Sequence, residues 1–118
     1  MAANEFCVSL QVDEAARRIC KTVTGGSVTG ELLDRHELVL AAGRCVILVF
    51  ERHSMRAGNR LTLTVTLDDY TGTTRVHSVG GGGGQGLFRF DWGASASFAA
   101  LPYDALSPFL VSDPPSGR

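Results

Sequence analysis

Several chemically active residue types lie close together between positions 51 and 60. Glu51, Arg52, His53 and Ser54 offer a carboxylate, a guanidinium, an imidazole and a hydroxyl in succession. Such groups can transfer protons, bind an anion or activate a nucleophile. Consecutive strand residues, however, point to opposite faces, so Glu51 and His53 share one side while Arg52 and Ser54 share the other. The run also lacks the G-x-S-x-G turn that exposes a nucleophilic serine. It therefore favours a network that stabilises a turn over a catalytic set.

A glycine-rich segment at residues 80–86 provides a second group of candidates. Backbone N–H groups without side chains around them can hold an anion. A Walker loop, however, needs a Lys-Ser/Thr pair and a helix directly after the glycines, whereas residues 87–90 are typical of a short strand. We expect a flexible connection here, with an anion site as the alternative. The candidate ligand or interaction residues of both groups are Glu51, Arg52, Ser54, Asn59, Arg60, Gln85 and Trp92.

Cysteine and histidine positions do not favour metal or thiol chemistry. The three cysteines, Cys7, Cys20 and Cys45, are widely spaced, and no two of the three histidines have the spacing of metal ligands. Each cysteine lies in a segment that is typical of a core, where cysteine behaves as a small hydrophobic residue. We expect no metal, no cofactor and no catalytic residue.

The composition predicts one domain and limits the classes of partner. The chain has 118 residues, 44% of them hydrophobic and 19% charged, with a net charge of −1. The near-neutral charge argues against nucleic-acid binding. No apolar run reaches the roughly 18 residues of a membrane helix, and the N-terminus has no pattern of a secretory signal. We expect a cytoplasmic protein with one α+β domain over residues 1–110 and a disordered tail over residues 111–118.

A predicted β-hairpin positions the first group of candidates. Residues 45–50 are apolar and mostly β-branched, and residues 61–67 alternate leucine or valine with threonine. A four-residue connection at residues 55–58 places Phe50 opposite Leu63 and makes Glu51 and Arg60 diagonal neighbours. Ile47 and Val49 then lie opposite threonines on the face away from the helices. That face could be solvated, line a shallow ligand groove or pack against a second subunit.

The remaining patterns predict the element order β-α-β-β-β-β-α. Asp13 is expected to cap a helix whose apolar stripe has helical spacing, and Pro102 is expected to kink or divide a second helix over residues 94–110. Further strands are expected at residues 5–11, 35–41 and 73–79. The predicted fold is an antiparallel sheet of about five strands with helices packed on one face, of TBP-like or helix-grip-like type.

One distinctive run resembles a known family. The pattern E-R-x-S-M-x-x-x-N-R at residues 51–60 is accompanied by the glycine segment with Gln85-Gly86, then Trp92-Gly93 and Phe98-x-x-Leu101. With these features the chain resembles, over residues 5–110, a family of small uncharacterised bacterial proteins labelled domain of unknown function 6054. The resemblance implies a cytosolic, single-domain α+β protein and supplies no activity. The longer glycine run and Pro102 depart from the family pattern.

The leading functional hypothesis is a non-enzymatic binding or interaction module that self-associates, as a homodimer, through Ile47 and Val49. The sheet face is half apolar, and the polar residues form no coherent catalytic set. The alternative is a small-molecule or anion-binding protein, including an enzyme, that uses the Gly80–Gly86 loop and the Glu51–Arg60 hairpin. Neither hypothesis identifies a ligand, and neither involves nucleic acid or a membrane.

Overall fold

The computed structural model of the chain describes residues 2–26, 30–54, 59–82 and 92–111. Within these ranges the chain forms six β-strands, two α-helices and one 3-10 turn. In chain order they are β1 (Ala2–Val8), α1 (Val12–Gly25), β2 (Glu31–Leu40), β3 (Gly43–Ser54), β4 (Asn59–Asp68), β5 (Thr74–Gly82), α2 (Trp92–Leu106), the 3-10 turn (Ser107–Phe109) and β6 (Leu110–Val111).

The six strands form one antiparallel sheet with the order β2-β3-β4-β5-β1-β6. Both helices pack against one face of this sheet and against each other. Strands β2 to β5 lie side by side in chain order. Strand β1, which comes before α1 in the chain, pairs with β5 on the far side of these four strands. The predicted α+β class and the antiparallel sheet with helices on one face are confirmed.

The sheet has one strand more than the sequence predicts. In β6, Leu110 pairs with Val8 and Val111 pairs with Cys7. A strand of two residues is too short to show an alternating pattern, so its sequence gives no signal. The sheet therefore includes Val111, where the sequence predicts the tail to begin, and residues 112–118 lie outside the described part of the chain.

The central hairpin has the predicted register. Phe50 lies opposite Leu63, Leu48 opposite Val65 and Val46 opposite Leu67. All six side chains are fully buried beneath the helices. The alternation of leucine and threonine determines which face of β4 is buried, because a shift of one residue would bury the threonines instead. The same register places Ile47 and Val49 on the opposite face.

Helix α1 begins at Val12, two residues earlier than a cap at Asp13 implies, so the predicted cap is wrong. Gln11 occupies the capping position and its side chain makes no capping hydrogen bond. The Asp13 carboxylate instead accepts two hydrogen bonds from Arg44. Glu14 pairs with Arg18, one helical turn further on, at 2.8 Å. Five residues of α1 are buried against the sheet: Val12, Ala15, Ala16, Ile19 and Val23.

Helix α2 continues through Pro102, where the sequence predicts a kink or a division into two short helices. The helix ends at Leu106, and a 3-10 turn follows. Proline removes one backbone donor, but Phe98 and Leu106, on either side of it, are fully buried against the core. Packing on the sheet therefore holds the helix on both sides of Pro102.

Candidate interaction surface

The face of the sheet that turns away from α1 and α2 is named the open face. Its residues form rows across the strands, and the two central rows run from β2 to β1. The first row is His36, Ile47, Thr66, His77 and Glu5, and the second is Asp34, Val49, Thr64, Val79 and Ala3. Neither described helix covers these rows, so only the neighbouring side chains of the sheet shield them from solvent.

The centre of the open face is apolar or carries hydroxyl groups. Ile47, Val49 and Val79 are half-buried, and the threonines at 64 and 66 lie between them. These side chains are all β-branched, and such residues pack well against a second pleated surface. In the isolated chain this centre remains partly in contact with water.

Two ion pairs and one imidazole–carboxylate pair border that centre on three sides. Arg60 Nη1 lies 2.6 Å from Glu51 Oε1 at one end, and Arg75 Nη2 lies 3.2 Å from Asp68 Oδ2 at the other. The third pair joins His77 Nδ1 to Glu5 Oε1 at 3.1 Å on the β1 side. The Glu51–Arg60 pair, which the hairpin register predicts, is confirmed. The arrangement resembles a protein interface, with an apolar centre and a charged border.

The predicted candidate residues do not converge on one site. Arg52 lies on the helix-covered face, with its guanidinium 4.6 Å from the centre of the Phe98 ring. Burial lowers the pKa of Arg52. Glu51 and Arg60 lie on the open face, so the sheet separates them from Arg52. This separation agrees with the strand alternation that the sequence predicts.

The other candidates give less information. Ser54 and Asn59 are backbone partners at the end of the β3–β4 hairpin. Gln85 and the strand expected at residues 87–90 lie outside the described residues, and Trp92 is the first residue of α2.

The first three glycines of the segment predicted as a loop belong to strand β5. Gly80 lies opposite Leu63, Gly81 opposite Thr62 and Gly82 opposite Leu61. The prediction of a loop beginning at Gly80 is therefore wrong, because β4 extends far enough to pair with these residues. Their place in the sheet leaves fewer backbone groups for an anion than a loop of seven residues would offer.

Neither Cys20 nor Cys45 is an activated thiol, and the described residues contain no grouped set of metal ligands. Burial is the main cause of the raised pKa of the Cys20 and Cys45 thiols, which disfavours their nucleophilic thiolate forms. Within the four described ranges, no three His, Cys, Asp or Glu side chains are grouped so that they could hold a metal ion.

The sequence did not reveal a charged network at the start of α1. Arg44 donates two hydrogen bonds of 2.7 Å to the Asp13 carboxylate, and its Nε donates a third, of 3.0 Å, to Glu37. These bonds lower the pKa of both carboxyl groups and raise the pKa of Arg44. Asp13 and Arg44 are 31 positions apart, so no local motif could have identified the network.

This network predicts that Arg44 contributes to stability in a pH-dependent way. Because the folded-state pKa values of Asp13 and Glu37 are lowered, the contribution is complete above their usual values of 3.8 and 4.5. It is lost as the pH falls below those values and the carboxylates take up protons. Arg44→Met should therefore lower the Tm at pH 7, and the difference from the wild type should shrink below about pH 4.5.

Thermal melts of both proteins between pH 2.5 and pH 7, at fixed salt, measure this difference. Arg60→Met, which also removes one positive charge from an ion pair, is the control. If the Tm difference between Arg44→Met and the wild type stays constant down to pH 2.5, the stabilising effect of Arg44 does not depend on the ionised carboxylates of Asp13 and Glu37.

The fold defines the class of the protein, a small α+β protein whose antiparallel sheet is covered by helices on one face. The sequence pattern of a family described as "Family of unknown function (DUF6054)" matches residues 1–109, and the chain belongs to this family. No curated protein and no solved structure matches the chain. The TBP-like or helix-grip-like relationship therefore remains a prediction. Neither helix in the described ranges has the length and apolar character needed to cross a membrane.

Proposed function

We propose that the chain is a non-enzymatic interaction module of the bacterial cytoplasm that self-associates through the open face. One observation carries the proposal: the half-buried, β-branched centre at Ile47, Val49 and Val79 is bordered on three sides by paired polar side chains. The proposed partner is a second copy of the chain. The contact between the open faces of two copies, named the face contact, would form a dimer.

Packing geometry supports a second copy on this face. Two sheets pack face to face at a separation of about 10 Å, with the side chains of their inner faces interdigitating. Valine, isoleucine and threonine have the size and stiffness that such a layer needs. Two copies related by a two-fold axis would bring the same β-branched centre together from both sides.

The charges at the border are compatible with this packing. The Arg60 and Arg75 guanidinium groups each have a carboxylate beside them in their own chain, and the His77 ring lies beside Glu5. These pairs therefore bring no isolated guanidinium group into the contact, and the Asp34 carboxylate lies next to Val49 on the β2 side, at the border. Residues at a border can also keep part of their hydration.

The proposal predicts that Ile47→Asp lowers the molar mass of the assembly. An aspartate at the middle of the face would lose its hydration on association and would meet its own copy across the two-fold axis. The face contact should therefore be lost, with the weight-average mass falling toward that of the species without it. Size-exclusion chromatography with light scattering measures the mass, and circular dichroism confirms folding.

Ser97→Asp is the matched control, because it adds the same charge at an exposed position of α2, away from the open face. It should leave the mass unchanged. A folded Ile47→Asp protein with the mass of the wild type would refute the face contact, and Val49→Asp repeats the test one row along the strand.

The alternative, a small-molecule or anion site at the glycine segment and the hairpin, gains no support from the described residues. Arg60 pairs with Glu51, and Arg52 lies over Phe98 on the other face. The alternative remains a prediction, and a bound small molecule found in native mass spectrometry would favour it.

A further inference from the structure

Strand β2 lies at one edge of the sheet, with β3 on its only side paired among the described residues. Nine of its ten residues are exposed. The exposed fraction is 68% for Val39, 59% for Leu40 and 50% for Leu33. Five of the eight large apolar side chains found exposed in the described residues belong to this one strand: Leu32, Leu33, Leu38, Val39 and Leu40.

This edge has only some of the features that protect an exposed strand. Proteins commonly protect such an edge with charged side chains, above all lysine, or with proline, a bulge or a very short strand. Strand β2 has four charged residues and an irregularity at Leu33, but it contains neither lysine nor proline, and residues 34–40 pair regularly with β3. At the opposite edge, the described part of β6 pairs only with Cys7 and Val8, so residues 2–6 of β1 also form an open edge among the described residues. Strand β2, with ten residues, is the longer of these two open edges and carries more exposed apolar side chains.

We propose that β2 pairs antiparallel with β2 of a second copy, about a two-fold axis at His36. Such an axis is perpendicular to the sheet, so two residues that lie opposite each other on the paired strands must have their side chains on the same face of the sheet. In this register Arg35 of each copy lies opposite Glu37 of the other, which gives two pairs of opposite charge. His36 lies opposite His36, and Asp34 lies opposite Leu38.

Charge selects this register over its neighbours. The symmetric registers on either side place Arg35 opposite Arg35 or Glu37 opposite Glu37, and like charges directly opposite each other are destabilising. The Arg35 side chain is 42% exposed, and its contacts within the chain are long, 3.3 Å to Glu37 and 3.6 Å to Asp13. Arg35 is therefore able to contact a second copy without first losing a short ion pair. Glu37 is bound to Arg44 through its Oε2, and its Oε1, which among the described residues accepts only the 3.3 Å bond from Arg35, is the oxygen available to the second copy.

The edge contact goes beyond the proposed function and uses separate observations. The face contact involves side chains at the centre of the sheet, whereas the edge contact involves the backbone of β2 and the residues that flank it. One chain can make both contacts, and each can fail while the other holds.

A mixing experiment tests the edge contact in the full-length chain. Arg35→Glu alone places the introduced glutamate opposite Glu37 twice, and Glu37→Arg alone places the introduced arginine opposite Arg35 twice. Each variant alone should lose edge pairing, on the order of tenfold in the association constant. In the mixture, the Arg35→Glu chain has carboxylates at both positions 35 and 37, and the Glu37→Arg chain has guanidinium groups at both. Each of the two opposed pairs in a mixed complex therefore joins opposite charges. A one-to-one complex should therefore form, and native mass spectrometry distinguishes it by the different masses of the variants.

Cysteine cross-linking reports the register directly. His36→Cys should form an intermolecular disulfide on mild oxidation, because residue 36 of each copy lies opposite residue 36 of the other, within the range of cross-strand bridges. Leu40→Cys, on the same strand and the same face of the sheet, is the control and should cross-link much less, because it lies four residues from the proposed axis. The wild-type chain, with its three native cysteines, gives the background.

The outcomes separate the two proposals. Loss of mass in Arg35→Glu, recovery on mixing and cross-linking through residue 36 support the edge contact, whatever Ile47→Asp does. Folded variants whose mixture forms no heteromeric species, together with a His36→Cys protein that cross-links no more than Leu40→Cys, would overturn it. Loss of mass in Ile47→Asp alone would then leave the face contact standing.

Discussion

Phe98→Ala is expected to lower the free energy of unfolding by about 3–5 kcal/mol, as for other large aromatic side chains removed from a core. The Phe98 side chain is fully buried and belongs to the common core. Its ring lies beneath the Arg52 guanidinium and close to Gly30, just before β2. Truncation would remove apolar contacts, leave a cavity and take the aromatic partner from Arg52.

Urea denaturation followed by circular dichroism measures this loss. Tyr103→Ala, on the same helix, is the matched control, because Tyr103 is 42% exposed and meets only the edge of the Phe6 ring in the aromatic pairing described. It should cost about 1 kcal/mol. Equal losses in the two variants would show that Phe98 does not anchor α2 to the sheet.

Gly43→Ala is expected to lower the free energy of unfolding by about 3 kcal/mol. Gly43 begins β3 with a φ of +149°, a conformation that other residues rarely adopt. A Cβ atom at this position would collide with Asp69 Oδ1 and come within 2.9 Å of the Tyr70 ring. Asp69 Oδ1 accepts the Arg44 backbone N–H at 2.8 Å, so relieving the collision would also disturb that hydrogen bond.

Gly72→Ala is a close control for this prediction. Gly72 also has a positive φ, +91°, but a Cβ atom there would meet nothing within 4 Å. Its replacement should therefore cost only the backbone strain, about 1 kcal/mol. Chemical denaturation of both variants makes the comparison. A Gly43→Ala protein no less stable than Gly72→Ala would show that the close contact of Gly43 with Asp69 and Tyr70 does not contribute to stability.

Local sequence pattern was sufficient to predict the central hairpin. The strict alternation of residues 61–67 identifies the buried face, and the length of the connection aligns Phe50 with Leu63. The Glu51–Arg60 pair and the opposite orientation of Arg52 follow from the same register. These predictions succeeded because they depend on residues that are close in the chain.

Features that depend on distant residues could not be predicted in this way. Asp13 has the composition of a helix cap, but Arg44, 31 positions away, binds its carboxylate. Arg52 finds Phe98 on a different element. The edge position of β2 depends on the strand order of the whole sheet, which no local pattern contains. The exposure of the β2 leucines could therefore not be predicted from their spacing in the sequence.

The molar mass of the wild-type chain in solution tests self-association most directly. Light scattering coupled to native mass spectrometry should give an assembly of two or more 12.5-kDa chains with no additional bound mass. Dilution should shift the distribution toward smaller species, as expected for non-covalent association. A mass of 12.5 kDa at every concentration would contradict the account, and a monomer that retains a small molecule would favour ligand binding instead.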